Sequence, residues 1–353
     1  MDGASLSVAQ FLAFTWDLNV KENTLDDNLP VLPLPYYESD QDAQRPPEFD
    51  LAILDRLPLE LIQMCVAHLD LETLLEFRKV NRRAKQVVNS TAEYKRIVQH
   101  APAVIQAILS IGMGSWISCA DIYQQLRTPE CQKCGDFGGY FYILGCQRVC
   151  FLCFTGHEDF HPLNTIRAEW KFGLTKQSVA ALPRMTTVTG IYTPMHRPRQ
   201  YSLEFVDPAT AHLQGIKLHG SQSAMDLYVA KKQKKLEKRR EARRGRLKPL
   251  SSQYALDRML QTLDEKSANP LRFVAIVCFP WLNAATGKSE RGRWCIACRH
   301  LRTRPTHFQR RFSIEMFQEH LKECGAIVNG EHKLPYSNYA LSESNEPRSP
   351  NAI

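Results

Sequence analysis

Four cysteines in two pairs have the spacing of a tetrahedral metal site: Cys131 with Cys134, and Cys150 with Cys153. Two residues separate the thiols of each pair and fifteen separate the pairs, a spacing typical of structural zinc. Gly135 follows the first pair, where a left-handed residue helps to close a tight turn. Four thiolates leave no coordination position for water, so the pattern predicts a structural zinc ion. The alternative is four unligated core cysteines.

The chain between the two pairs is expected to fold back on itself. Residues 140–144 are β-prone and predict a ribbon hairpin that brings the pairs together. Cys146, which lies between the two pairs, is expected to be a packed thiol and not a fifth ligand. His157 and His161 remain alternatives that could replace one cysteine.

A second group of possible ligands lies near the end of the chain and predicts a Cys-Cys-His-Cys finger. Its ligands would be Cys295, Cys298, His320 and Cys324, with the last two at i and i+4 on one face of a helix. The spacer of twenty-one residues is longer than the roughly twelve of the common DNA-binding finger. The alternative is an exposed His320 and a core Cys324. Two further histidines compete as ligands: His300 and His307.

The same residues give little support to catalysis. Neither cysteine group is a RING domain, which needs eight interleaved ligands, because more than 140 residues separate the groups. The chain also lacks the phosphate loop G-x-x-x-x-G-K-[ST] and the nucleophile motif G-x-S-x-G. The run His157-Glu158-Asp159-Phe160-His161 has the spacing of the zinc-hydrolase motif H-E-x-x-H, but that motif needs a helix to bring its two histidines to one face. Metal ligation accounts for seven of the eleven cysteines that could serve as nucleophiles. We therefore expect a protein without enzymatic activity of its own.

Residues 51–91 have the apolar spacing of three short helices. Pro58 suits a first helical position, and Asp70 and Asn81 suit the N-caps of a second and a third helix. About forty residues are too few for a self-sufficient core, so another surface should cover part of this segment. That surface could belong to the chain itself, as in a larger α domain, or to a partner.

This segment resembles an F-box in three stretches: Leu57-Pro58-x-Glu60-Leu61-Ile62, Leu69-Asp70-Leu71-Glu72-x-Leu74-Leu75 and Arg78-x-Val80-Asn81-Arg82-Arg83. It departs from the family at Asn81, where Ser or Cys is usual, and at Ala84-Lys85, where an aromatic residue is common. The resemblance implies a helical hook that binds the Skp adaptor of a cullin-based ubiquitin ligase. The candidate partner-binding residues, some of which must also hold the helices together, are Leu57, Pro58, Leu61, Ile62, Leu69, Leu74, Leu75 and Val80.

The cysteine-rich part extends the resemblance to fungal F-box proteins that couple the hook to a cysteine-paired body. The stretches involved are Cys131-x-x-Cys134-Gly135-x-Phe137-Gly138, Arg148-Val149-Cys150-Phe151-x-Cys153 and Gly190-Ile191-Tyr192. The resemblance implies a substrate receptor whose body captures a target protein of unknown identity. It also implies that the ubiquitin-transferring chemistry belongs to other subunits of the ligase.

The net charge of +8 comes from one element. Residues 231–248 contain eleven Lys or Arg and two Glu, so the rest of the chain is close to neutral. This exposed helix could be a solvated linker, a nuclear-import signal or a phosphate-binding element. Its candidate residues are Lys231, Lys232, Lys234, Lys235, Lys238, Arg239, Arg240, Arg243 and Arg244. With seven arginines between 291 and 311, an alternative function is a nuclear nucleic-acid-binding zinc protein that uses this helix and the finger 291–324.

The predicted fold class is α+β: a three-helix F-box, then a mixed, mostly helical body stapled by a four-cysteine ribbon-like site and a Cys-Cys-His-Cys finger. The apolar residues 5–20 could dock on the body or on a partner. No stretch is long and apolar enough for a membrane span, and the start lacks a secretory signal, so we expect a nuclear or cytoplasmic protein. The predicted divisions are 1–50 (flexible acidic leader), 51–91 (F-box), 92–220 (helices, knuckle pair and mixed segment), 221–250 (basic helix), 251–334 (strand and finger) and 335–353 (disordered tail).

Overall fold

A computed structural model of the 353-residue chain describes residues 6–17, 22–30, 46–192, 202–244, 269–300 and 307–333. The predicted tail and parts of the predicted leader lie outside these described residues. The α-helices are α1 (Val8–Phe14), α2 (Leu59–Ala67), α3 (Leu71–Val80), α4 (Arg82–Ser90), α5 (Ala92–His100), α6 (Pro102–Ser110), α7 (Cys119–Leu126), α8 (Phe151–Gly156), α9 (Thr165–Lys171), α10 (Lys176–Ala180), α11 (Pro208–His219), α12 (Gln222–Arg244) and α13 (Ile314–Cys324).

Short antiparallel strands lie between these helices and make the fold a mixture of helix and sheet. The strands are β1 (Thr15–Trp16), β2 (Tyr140–Tyr142), β3 (Gln147–Val149), β4 (Leu163–Asn164), β5 (Arg184–Thr186), β6 (Glu204–Val206), β7 (Ile276–Cys278), β8 (Trp281–Leu282), β9 (Ser289–Glu290), β10 (Arg293–Cys295), β11 (Arg311–Phe312), β12 (Ile327–Val328) and β13 (Glu331–His332). Within the described residues they pair in the orders β1-β10-β11, β3-β2-β7, β4-β6-β5, β8-β9 and β12-β13.

Helices α3 and α4 begin where the sequence predicts them, and α2 begins one residue later than predicted, with Pro58 as its N-cap and not its first helical residue. The Asp70 carboxylate accepts a hydrogen bond from the Thr73 N–H at 2.8 Å, and the Asn81 side-chain oxygen accepts one from the Ala84 N–H at 2.8 Å. Both contacts satisfy N–H groups that a helix start leaves unpaired, so the two predicted N-caps are confirmed.

One hydrophobic core connects these helices to the part of the chain that contains Cys131, Cys150 and Cys153. It runs from Ile62 and Leu74 through Ile105 on α6 to Phe141 on β2 and Val277 on β7. The inner side of residues 51–91 packs within this core, so the segment is not separate from it. A fixed geometry between this segment and the first pair of cysteine knuckles follows from the shared core.

The segment 6–17, whose docking site the sequence leaves open, packs on the C-terminal part of the same chain. Strand β1 pairs with β10 in the register Thr15↔Cys295. The Phe11 ring lies edge-on to Phe317 on α13, with ring centroids 5.5 Å apart. Leu25, also in the predicted leader, is fully buried and donates its N–H to the Ile276 carbonyl at 2.8 Å.

The strand predicted within residues 251–334 lies in the apolar segment 271–282, which is mostly buried but only partly extended. A 3-10 helix covers Pro270–Arg272, and the strand is limited to Ile276–Cys278. The Phe273 N–H donates to the Pro270 carbonyl at 3.2 Å, which keeps the start of the segment in a turn. Burial alone explains the apolar run, because the periodicity of a short apolar run cannot distinguish a buried strand from a buried helical turn.

Among its described side chains, the basic helix α12 packs mainly through its first three turns. Met225 is buried there because Gly215 on α11 leaves room for it: a Cβ at Gly215 would lie 2.6 Å from the Met225 sulfur. Further along, Lys232 lies over the Trp170 ring at 4.5 Å, and beyond it the described side chains are almost all exposed. Among the described residues, none of the helices is both long and apolar enough to cross a membrane.

Arg148 on β3 is a fully buried cation that joins several loops. Its guanidinium donates to the carbonyls of Gln125 at 2.9 Å and Pro280 at 2.5 Å, and also to those of Gly138 and Phe279. Burial lowers the pKa of Arg148 to about 9. The side chain supplies the donors that these buried carbonyls need.

Replacing Arg148 with methionine should therefore reduce the free energy of unfolding by about 3–5 kcal/mol, since several buried carbonyls lose their donors. Urea unfolding followed by circular dichroism measures this change. The exposed Arg96 is the matched control, and Arg96→Met should change stability by less than about 0.5 kcal/mol. Equal effects of the two variants would contradict a structural role for Arg148.

Candidate functional site

An apolar face is exposed on the first helix of the predicted F-box segment. Leu57, which lies just before α2, and Leu61 and Met64, at i and i+3 on it, have exposed fractions of 44%, 46% and 64%. Val80, at the end of α3, is 67% exposed. We call these residues, with the exposed Ile53, Leu54 and Leu59, the N-terminal apolar face.

Two polar contacts hold the parts of this face together. The Asn81 amide donates to the Asp50 carbonyl at 3.1 Å, and Arg83 pairs with Asp55 at 2.9 Å. The start of α4 is thereby fixed against the residues that precede α2. The hydrogen bond from Arg83, supported by one from the Leu51 N–H, lowers the pKa of Asp55 below its usual value.

The predicted partner-binding residues divide into two groups. Leu57, Pro58, Leu61 and Val80 are exposed, and Leu69 is half-buried. Three others are buried in the chain's own core and hold the helices together: Ile62, Leu74 and Leu75. Sequence reasoning missed Ile53, Leu54 and Met64, although the interval from Leu57 through Leu61 to Met64 was available as a signal.

The first cysteine group converges as its spacing predicts. The sulfurs of Cys131, Cys134, Cys150 and Cys153 all lie within 4.8 Å of one another, with Cys134 and Cys150 3.6 Å apart. A tetrahedral ion with metal–sulfur bonds of about 2.3 Å separates its sulfurs by about 3.8 Å, so these positions fit such an ion. None of the four cysteines forms a disulfide, and the 3.6 Å between the sulfurs of Cys134 and Cys150 is far too long for one.

Local backbone geometry forms each half of this first group. Gly135 adopts φ +81° and donates its N–H to the Cys131 carbonyl at 2.9 Å, which closes the first knuckle. In the second knuckle the Cys150 sulfur accepts the Cys153 N–H at 3.4 Å and caps α8. The predicted hairpin between the knuckles is confirmed as the pairing of β2 with β3.

The chemistry of the first group suits a cation. Contacts with the thiols of Cys134, Cys150 and Cys153 hold the pKa of Cys131 well below its usual range, so a thiolate is favoured there. Cys146 stands apart from the four: burial raises the pKa of its thiol to about 12. Among the alternatives, the ring of His161 contacts the Asn269 side chain at 3.1 Å, and burial lowers the pKa of His161 to about 4.

The second group converges on a different fourth residue. Within 4.8 Å of one another lie ligand atoms of Cys295, Cys298, His320 and His332. Cys324, predicted as the fourth ligand, lies 3.6 Å from Nδ1 of His320, whereas Nε2 of that ring contacts Cys298 at 3.4 Å. The i, i+4 spacing places Cys324 beside the histidine but against its other ring nitrogen. The side chains of His300 and His307 lie outside the described residues.

The arginines near the second group make contacts within the chain. Arg293 lies 3.7 Å from Asp17, Arg310 lies 2.7 Å from Asp136, and Arg311 pairs with Glu22. Arg299 lies over the Trp16 ring at 5.1 Å. Because these four arginines contact other side chains of the chain, the cationic surface of the finger is smaller than the sequence predicts.

The candidate phosphate-binding lysines have a different environment. Lys231, Lys234, Lys235 and Lys238 are exposed on α12, and so is Arg239. Lys232 is half-buried against Trp170. The helix includes Arg240, Arg243 and Arg244, whose side chains are not among the described ones.

Comparison with protein families matches residues 54–96 to the F-box domain. No curated protein and no solved structure matches the chain. The match confirms the F-box resemblance of this segment. It covers neither the cysteine groups nor the basic helix.

Proposed function

We propose that this F-box protein is a substrate-receptor subunit of a Skp-cullin-type ubiquitin ligase. The N-terminal apolar face would bind the Skp adaptor, and the cysteine-rich body would capture a target protein. The observation that carries the proposal is the exposure of Leu57, Leu61, Met64 and Val80 on a segment whose inner side is buried in the core. Apolar side chains grouped in this way mark a protein-binding surface.

The shared core supports this role. A receptor contributes proximity, because it must hold a target lysine near an enzyme recruited elsewhere in the complex. Ile62 and Leu74 belong to the same core as Phe141 beside the first cysteine group, so movements of the F-box and this part of the body are coupled. Bond-making chemistry then belongs to other subunits, and this chain is a non-catalytic specificity subunit.

Zinc at the first cysteine group is part of the proposal. Cys131, Cys134, Cys150 and Cys153 would hold it with four thiolates, a closed set that supplies structural support and no catalysis. The separation of 3.6 Å between the sulfurs of Cys134 and Cys150 supports this assignment.

Measurement of adaptor binding by the full-length chain tests the proposal. We expect purified protein to bind a purified Skp adaptor with a Kd below about 1 µM. Affinity purification with mass spectrometry should then recover the adaptor, a cullin and candidate targets. A folded chain that binds no Skp adaptor would contradict the receptor function, and recovery of the adaptor without a cullin would indicate a scaffold outside the ligase.

A second candidate function, nucleic-acid binding in the nucleus, is favoured by the exposed lysines of α12. In a salt titration with random duplex DNA, phosphate binding by Lys231, Lys234, Lys235 and Lys238 predicts a steep fall of log affinity with log salt concentration. Absence of binding at physiological salt would exclude this candidate. The arginines of the finger support it less, since Arg293, Arg299, Arg310 and Arg311 contact other parts of the chain.

A further inference from the structure

We propose that the second group is a Cys2His2 zinc centre whose ligands are Cys295, Cys298, His320 and His332, with Cys324 as a supporting residue outside the coordination shell. The proposal is independent of adaptor binding. It concerns a ligand, His332, that no sequence motif indicates.

Three distances within the group match the edges of a metal tetrahedron. Nε2 of His332 lies 3.4 Å from the sulfur of Cys295 and 3.4 Å from that of Cys298, and Nε2 of His320 lies 3.4 Å from the sulfur of Cys298. Bonds of about 2.3 Å to sulfur and about 2.0–2.1 Å to nitrogen predict sulfur–nitrogen edges of about 3.5 Å. The four ligand atoms therefore surround a space of the right size for zinc.

The other nitrogen of each ring has a partner that orients it. Nδ1 of His332 lies 2.9 Å from the Gly325 carbonyl, which only accepts, so this nitrogen carries the proton. Nε2 of His332 is then the nitrogen with the free lone pair. Such a contact from the second ring nitrogen is the usual support of a metal-binding histidine.

Cys324 lies at Nδ1 of His320, as the Gly325 carbonyl lies at Nδ1 of His332. Its sulfur lies 3.6 Å from Nδ1, and the two nitrogens of an imidazole point away from each other. A metal on Nε2 of His320 therefore lies on the opposite side of the ring from Cys324. Cys324 can accept the Nδ1 proton and fix the tautomer that presents Nε2 to the metal.

A short hairpin explains how His332 reaches the site. Asn329 and Gly330 adopt φ +53° and +84°, the left-handed pair that a two-residue hairpin turn requires. The turn pairs Ile327 with His332, so the chain reverses directly after α13 and returns to the knuckle. Knuckle, helix and hairpin each supply part of one ligand set.

The centre would also hold the N-terminal segment. Cys295 belongs to β10, which pairs with Thr15 on β1, and Phe317 on the helix that carries His320 contacts Phe11. Zinc at this site would stabilise the surface against which residues 6–17 pack.

Elemental analysis of full-length variants tests the assignment. We expect two zinc ions per wild-type chain, one in His332→Ala and one in Cys298→Ala. Cys324→Ala should retain two at saturating zinc, with the second bound about 10–100-fold more weakly. His300→Ala is the control and should retain two. Loss of one zinc in Cys324→Ala with two retained in His332→Ala would overturn the proposal in favour of a Cys-Cys-His-Cys site. A wild-type chain with a single zinc that His332→Ala retains would overturn it outright.

X-ray absorption at the zinc edge gives a result that does not depend on the folding of any variant. The proposal predicts, for the wild-type chain, an average of about three sulfurs and one nitrogen per zinc over both sites. About three and a half sulfurs per zinc would contradict it. His332→Cys should keep both metals and raise the average sulfur count, whereas it would leave the count unchanged if Cys324 were the ligand.

Discussion

Replacing Leu57 and Pro58 together by alanine is expected to weaken Skp-adaptor binding by about 100-fold or more while the chain remains folded. Leu57 is exposed at the start of the N-terminal apolar face, and Pro58 is the N-cap of α2. A few apolar side chains at the centre of an interface carry most of its binding energy, about 2 kcal/mol or more each. Because neither side chain is buried in the core, truncation removes contact area without opening a cavity. Isothermal titration calorimetry with purified adaptor measures the loss.

Two matched variants separate lost binding from lost folding. Leu213→Ala removes a leucine that is 65% exposed on α11, outside the face, and should leave adaptor affinity unchanged. Leu74→Ala, at a fully buried position in α3, should reduce the free energy of unfolding by about 2–5 kcal/mol. Unchanged adaptor affinity in the Leu57→Ala, Pro58→Ala double variant would contradict the assigned face.

The F-box could be predicted from the sequence because its signals are local. Asp70 and Asn81 cap helices only a few residues away, and these contacts depend on almost nothing else in the chain. The sequence did not determine which side of α2 stays exposed. Leu61 and Ile62 are adjacent and both apolar, yet Leu61 is exposed and Ile62 is buried, since the body covers one stripe of the helix. That choice depends on residues far along the chain.

The same distinction between local and long-range determinants explains why the ligands of the first cysteine group could be predicted and one ligand of the second could not. The first is made of two knuckles whose turn geometry is encoded within a few residues, as Gly135 illustrates. In the second group, the spacing of His320 and Cys324 placed both on one helical face but could not specify which nitrogen of the imidazole each neighbour meets. His332 follows an Asn329-Gly330 hairpin, a local signal that could have indicated the reversal of the chain.

Contacts across long stretches of sequence were not predictable. The half-buried Glu22 forms an ion pair with the buried Arg311, and the Tyr140 hydroxyl contacts both. Glu22 is one of ten acidic residues in the first fifty, so the sequence alone assigns it to a solvated leader. The structure likewise assigns the apolar residues of 6–17 to the chain's own C-terminal part, because Phe11 has Phe317 as a neighbour.

Replacing Cys150 by serine is expected to remove one zinc ion and to reduce the free energy of unfolding by more than about 4 kcal/mol, since loss of a structural metal is among the largest single-residue effects. Cys150 is nearly fully buried, and its sulfur also caps α8. Three thiols of the group belong to the core that contains Ile62 and Leu74 of the F-box. We therefore expect the loss to weaken adaptor binding as well. Zinc content, urea unfolding and adaptor affinity measure the three effects.

Cys146→Ser is the matched control, because Cys146 lies between the two knuckles, is half-buried and belongs to neither group. It should keep both zinc ions and its affinity for the adaptor. If Cys150→Ser retained two zinc ions, the four-thiolate site would be contradicted. If it lost one ion but bound the adaptor with unchanged affinity, the zinc site would stand, but the mechanical coupling between F-box and body would not. The receptor would then need another way to hold its target at a fixed distance from the ligase, since proximity is the contribution we assign to this chain.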